Sequence, residues 1–380
     1  MQHGFLAGAA DLPQGDWRRL AGDDPFLSRE FLAAAEQTGA AAETLGWRAM
    51  HLALRDGCGA LAGLLPLYLR DDSFGDFSRD WGWAAAWGRA GLDYYPKLVS
   101  GVPYTPSPGP RLLADDSDAA AKLVAAAIDA ARTCGASSWQ CLFVGERDRQ
   151  VLEEAGLLMR RGVQFHWRNR GYRDFADYLD GFTAAKRKKL KRERRAVAEA
   201  GLRIEARHGD EISQAQWKAI FRHYRSTFAS YGNYPAFPLE FFLRVGTEMK
   251  RRVVVFMAFG KGHPVASAIC YRDAATLYGR HWGSDIECPG LHFELSYYQG
   301  IEYAIANGLE RFEAGSGGEH KIARGFEPMP TWSAFWIADP RMRRAVADFI
   351  RREDDAMLDY EAETAGRLPY KQDFARTELK

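Results

Sequence analysis

Three side chains able to exchange a proton near neutrality, or to be tuned there, stand close together late in the chain: His281, Glu313 and His320. Such groups can take a proton from a nucleophile and return one to a leaving group. Around them lies a glycine-rich loop, Gly315, Gly317 and Gly318, followed by Glu319, His320, Lys321 and Arg324. Glycines there let backbone approach a ligand closely, so Gly317, Gly318, Glu319, Lys321 and Arg324 are expected to bind substrate. His292 and Glu294 open a helix and are further binding candidates, although a carboxylate at that place also suits the helix dipole. His281, Glu313 and His320 are the catalytic candidates. The nine histidines show no metal-ligand spacing, and no G-x-S-x-G elbow marks a serine hydrolase.

These residues need elements to hold them. A strand-like run over 276–283 leads into a turn-rich loop, 284–290, and then a helix-like run, 291–307, that Gly308 stops. A short strand, 311–314, precedes the glycine loop. Strand, loop, helix and strand in that order set a helix N-terminus and two strand ends around one cleft, where backbone N–H groups can hold an anion. Earlier, Ser28 is placed to cap a helix, and Asp56-Gly57 separates two strand-like runs as a hairpin turn does. Trp81, Trp83 and Trp87 read as one buried helical face. Four prolines between 103 and 110 make a rigid loop, whose Tyr104 and Arg111 are candidates for acceptor binding. The helix stops at Gly135 and Gly308, and the late strands with Phe165-His166-Trp167 and Ala334-Phe335-Trp336, occupy matching places. The chain therefore reads as one mixed α/β unit repeated, the acceptor lying between the copies. Expected limits are 1–172 and 202–338, with a connector over 173–201 and a final helix and tail over 339–380.

At 380 residues the chain exceeds what a single core usually supports. Fifty-one basic and fifty acidic residues leave a net charge of +1, which excludes a generally basic nucleic-acid coat. Five cysteines without a C-x-x-C pair fit reduced thiols, no apolar run is long enough to span a membrane, and the N-terminus lacks an export signal. A cytoplasmic location is expected. The charge is nevertheless uneven: eight of the ten residues from 186 to 195 are basic. Cations in a first helical turn oppose the dipole, so Lys186, Lys188, Lys189 and Arg192 are expected to meet an anion such as a nucleotide, a phosphate-rich carrier or a tRNA backbone.

The basic helix ending in Ala-Glu-Ala-Gly-Leu-Arg-Ile resembles the linker of the Fem-type peptidoglycan aminoacyltransferases. The segments 94–98, 103–106, 165–169, 291–295 and 318–326 are similar to the FemAB-like predicted N-acyltransferases, a bacterial group tied to peptidoglycan biosynthesis or recognition. This resemblance implies α/β (mixed α+β) architecture as two tandem GNAT-like (acyl-CoA N-acyltransferase) domains joined through the basic helix. It also implies acyl or aminoacyl transfer to an amine of a small molecule or cell-wall precursor, with no tightly bound cofactor. The loop Asp285-Ile286-Glu287-Cys288-Pro289-Gly290 departs from the usual Gln/Arg-x-x-Gly-x-Gly/Ala pyrophosphate loop, which leaves a longer acyl-CoA-like thioester or an aminoacyl-tRNA as donor. The alternative is an inactive pair that only binds an anionic precursor or tRNA.

Overall fold

Apolar strands interrupted by one crossover helix recur twice in the chain, and the computed structural model, which describes residues 1–230 and 232–371, assembles them into two units. Unit 1 comprises Met1–Val163 and Pro330–Asp359, and unit 2 comprises Gln164–Met329 with the residues from Tyr360 onward.

Unit 1 holds an antiparallel sheet of Gln2–Leu6, His51–Arg55, Leu61–Leu65 and Leu113–Ala114. In its other sheet, Trp47–Ala49 and Tyr68–Arg70 run antiparallel, and Tyr68–Arg70 pairs in the same sense with Lys97–Ser100. Lys97–Ser100 is parallel to Ser138–Val144. A parallel pair needs a crossover, here the alanine-rich helix Ser117–Thr133. Its start is fixed by Asp116, which accepts from the Ala119 N–H at 2.8 Å. Trp332 to Ile337 then closes the sheet against Ser138–Val144. Local signals are obeyed: Ser28 Oγ accepts from the Phe31 N–H, and Asp56-Gly57 joins two paired strands. Trp83 and Trp87 are buried beside Tyr94 and Phe335, but Trp81 is 58% exposed, so the three indoles do not share one face.

Unit 2 repeats the order. Arg203–His208, Val253–Gly260, His263–Arg272 and Thr276–Ser284 run antiparallel in sequence. Thr276–Ser284 is parallel to Arg311–Glu313, with a helical crossover from Leu291 to Ala306. His166 to Arg168 closes this sheet antiparallel to Arg311–Glu313.

The closing strands are exchanged. The strand bearing His166 and Trp167 follows unit 1 in sequence yet completes unit 2, and the strand bearing Phe335 and Trp336 follows unit 2 yet completes unit 1. The division into units therefore runs through the strands Leu158–Arg168 and Glu327–Ile337 rather than at residues 172 and 202. The basic helix, Ala184–Glu199, is part of unit 2, where Leu190 and Val197 are buried in the core. Most of the last helix, Pro340–Gly366, belongs to unit 1. The expected tail falls largely on residues 372–380, outside the described residues. Among those described, no helix is long and apolar enough to cross a membrane, and no cluster could hold a metal ion.

Candidate active site

Strands Thr276–Ser284 and Arg311–Glu313 stay paired only through Thr276, Leu277 and Tyr278, opposite Arg311, Phe312 and Glu313. The first strand then runs on alone along that edge. On its other side the register shifts so that Ile269 faces His281 and Cys270 faces Gly279, leaving Arg280 as a bulge residue. Bulges re-aim side chains, and this one turns Arg280 towards the gap between the parting strands. A hollow of about 100 Å³ opens there, lined among others by Arg280, His281, Trp282, His292, Tyr297 and Ala314.

The crossover helix forms one wall. It begins as an α-turn at Leu291–Phe293 and widens into a π-turn over Glu294–Tyr298. The wider turn aligns residues five apart, so the rings of His292 and Tyr297 lie 5.6 Å centroid to centroid. Tyr297 Oη is 2.7 Å from His320 Nε2. Gly318 permits this placement, because a Cβ there would stand 2.7 Å from the His320 imidazole, and its φ of 87° suits glycine. Burial, then Lys321 and Arg324, pushes the His320 pKa down. Burial, then His320, lowers His292 to about 4. Both imidazoles are neutral at pH 7 and able to accept a proton.

His281 turns to the opposite face of the sheet, its ring 4.8 Å from Tyr224 and 5.8 Å from Phe237. Burial and Arg280 lower its pKa to about 3. Glu313 is buried, 3.7 Å from Arg280 and 3.9 Å from His166 Nδ1. Lys321 is buried, and its Nζ donates to the Gly315 carbonyl at 2.6 Å. Burial, then Arg280, brings its pKa down to about 7.

The three residues expected to be catalytic stand differently to this hollow. His281 borders it at the strand but turns its ring to the other face, His320 touches Tyr297 on its wall, and Glu313 lies beside Arg280. The binding candidates divide differently. His292 lines the hollow, Lys321 is tied to the Gly315 carbonyl, and Gly318 packs against His320. Glu294 does not open towards a substrate: it is 3% exposed and gripped by Arg194, Nη2 to Oε1 at 2.8 Å and Nε to Oε2 at 3.1 Å. Arg324 is committed on three sides, to Tyr298 Oη, the His320 carbonyl and Glu193, and its guanidinium lies 3.4 Å from the Phe293 ring centroid. Glu319 is exposed and paired with Arg367. In unit 1, Arg111 is buried and donates to the carbonyls of Leu142, Ser107 and Pro110, an interior brace rather than an acceptor site. Tyr104 accepts from Trp47 Nε1 at 3.1 Å and packs against Gly75. Lys186, Lys188, Lys189 and Arg192 are exposed.

Tyr297, Arg280 and Trp282 escaped the sequence reading. At α-helical spacing Tyr297 does not meet His292; only the π-turn brings them together. Arg280 reads as an ordinary outward strand residue until the bulge is seen.

The chain is similar in structure to FemX, with a TM-score of 0.55 and 11% identity, covering 91% of this chain and 100% of that one. It is similar to the C-terminal domain of a putative lysylphosphatidylglycerol synthetase from Agrobacterium fabrum, with a TM-score of 0.53, 12% identity and coverage of 88% and 96%. L-PGS from Bacillus licheniformis gives a TM-score of 0.51 at 11% identity, with 89% and 96% covered. These likenesses bear on fold, which is tandem GNAT-like. No curated protein matches the chain. A family of peptidoglycan biosynthesis/recognition matches residues 8–372, nearly the whole length, and the chain belongs to this FemAB-like family.

Proposed function

We propose that unit 2 transfers an acyl or aminoacyl group to an amine at the hollow between the parting strands. Family membership makes the chain a transferase of this class; the reading adds the site, the donor and the acceptor. The observation that carries it is a small hollow lined by Arg280 and Tyr297, with His320 hydrogen-bonded to that tyrosine, where the two strands part. The amine nitrogen gives its proton to His320, directly or through the Tyr297 hydroxyl, and attacks the donor carbonyl. Arg280 and the free edge N–H groups stabilise the oxyanion. As the intermediate collapses, the C–S or C–O bond of the donor breaks, and the leaving group takes the proton back along Tyr297 and His320.

The donor is an acyl-CoA-like thioester or an aminoacyl-tRNA, the acceptor a cell-wall precursor amine or related small molecule, and the setting cytoplasmic. Mass spectrometry of products from the purified protein with each donor class tests the reading. His320→Ala is expected to lower single-turnover transfer by about 10²- to 10⁴-fold with unchanged circular dichroism; full transfer by that variant overturns it. A second reading, an inactive pair that only binds an anion, draws on the exposed cations of the basic helix. Absence of product with every donor, together with tight anion binding, selects it.

A further inference from the structure

The basic helix does not present all its charge alike. Arg187 pairs with Asp180, and Arg194 turns inward to Glu294 and Glu302. Lys186, Lys188, Lys189, Lys191, Arg192 and Arg195 are exposed and make no ion pair among the described residues. Two of these six, Lys191 and Arg195, stand on the rim of a groove of about 680 Å³ in unit 2. Its floor is apolar: Phe175, Leu179, Val197, Leu202 and Ile204. Its two carboxylates, Glu294 and Glu302, are both held by Arg194, whose guanidinium also lies 4.5 Å from the Phe175 ring centroid. Exposed Ala176 and Ala198 keep the mouth open. A volume of this size, mostly apolar with a few charged groups to orient the ligand, is that of a small-molecule site.

Charge and floor together identify the ligand's chemistry. A polynucleotide would answer the cations but leave the aliphatic floor unused, and no aromatic residue is interleaved with the cations to stack bases. A neutral hydrocarbon would leave the cations unanswered. We propose that this groove binds an anionic lipid, one acyl chain lying on Leu179, Val197 and Ile204 and its phosphate between Lys191 and Arg195. The site is distinct from the hollow at the parting strands and stands whether or not transfer occurs there. It also shares the π-turn with that hollow: Glu294 faces the groove, while Tyr297 faces the hollow.

The test uses the full chain and two probes, sedimentation with phosphatidylglycerol or phosphatidylcholine vesicles and calorimetric titration with alkyl phosphates below their micelle concentration. Binding to the anionic vesicles alone is expected. Alkyl phosphate affinity should rise about fourfold per added methylene until the groove is filled. Lys191→Gln with Arg195→Gln should weaken vesicle binding by about 30-fold, roughly fivefold per cation. Ala176→Trp and Ala198→Trp, both at exposed positions, should flatten the chain-length dependence while circular dichroism stays unchanged. Affinity independent of chain length in the unaltered protein overturns the proposal. So does vesicle binding unaffected by the tryptophans, or binding of tRNA without binding of anionic vesicles.

Discussion

Replacing Arg194 with methionine should destabilise unit 2 far more than removal of an ordinary surface arginine. The guanidinium makes four hydrogen bonds: 3.1 and 2.8 Å to Glu294, and 2.7 and 2.9 Å to Glu302. Glu302 is more than a third exposed, so water can replace that pair, and its loss costs at most about 1 kcal/mol. Glu294 is 3% exposed and, among the described residues, keeps the Gln299 amide, at 2.8 Å. A buried carboxylate deprived of its partner costs roughly 3–5 kcal/mol, and the remaining amide argues for the lower end, about 3 kcal/mol. Urea unfolding followed by far-UV circular dichroism reads this as a lower midpoint at an unchanged slope. Adding Glu294→Gln to the methionine variant removes the stranded charge and should restore roughly half of the loss, whereas independent sites would show additive effects. Arg194→Lys should fall between, since an ammonium cannot reproduce the forked contact. An Arg194→Met midpoint equal to that of the unaltered protein would falsify the argument that this cation is structural.

Tyr297→Phe should lower transfer while leaving the unfolding midpoint in place, because it removes only the hydroxyl at 2.7 Å from His320; parallel losses of both would mark Tyr297 as a packing residue. Lys321 gives a pH dependence with a definite sign. Its folded pKa of about 7 lies below the ordinary 10.5, so the unfolded chain holds the proton more tightly, and the full penalty applies below about pH 7. Stability should therefore rise between about pH 7 and 10.5 by at most about 5 kcal/mol. Lys321→Met should flatten that rise, and identical pH profiles for the two proteins would refute the assignment. Gly300→Ala should cost about 1–3 kcal/mol, since a methyl there overlaps the Phe312 ring; a neutral result in thermal unfolding would show that the ring can move aside.

What the sequence disclosed was chiefly local. Ser28, Asp56-Gly57 and Gly308 act on neighbours within a few residues, and their elements are where they should be. Of the catalytic candidates, strand order brings Glu313 beside Arg280 and the glycine loop brings His320 to Tyr297, but the face that His281 takes depends on a bulge the sequence does not mark. Charge was harder to read. Glu193 and Arg194 look like two more members of a solvated run, but their partners Tyr298, Arg324, Glu294 and Glu302 lie about a hundred residues or more away. Arg111 misled for another reason: its partners are the backbone carbonyls of Pro110, Ser107 and Leu142, and no pattern of side chains announces a carbonyl. Trp81 stands outside the core because helical spacing turns it away: Trp83 and Trp87, four residues apart, share a face, whereas Trp81, two residues before Trp83, points to the other side.

The crossed ownership of the closing strands bears on how the protein is made. Residues preceding position 164 leave the ribosome with one sheet still lacking the partner that Trp332 to Ile337 supplies. That exposed edge must wait for nearly the whole polypeptide, and a gene fragment ending after the first repeat would encode a protein with an unsealed border prone to self-association.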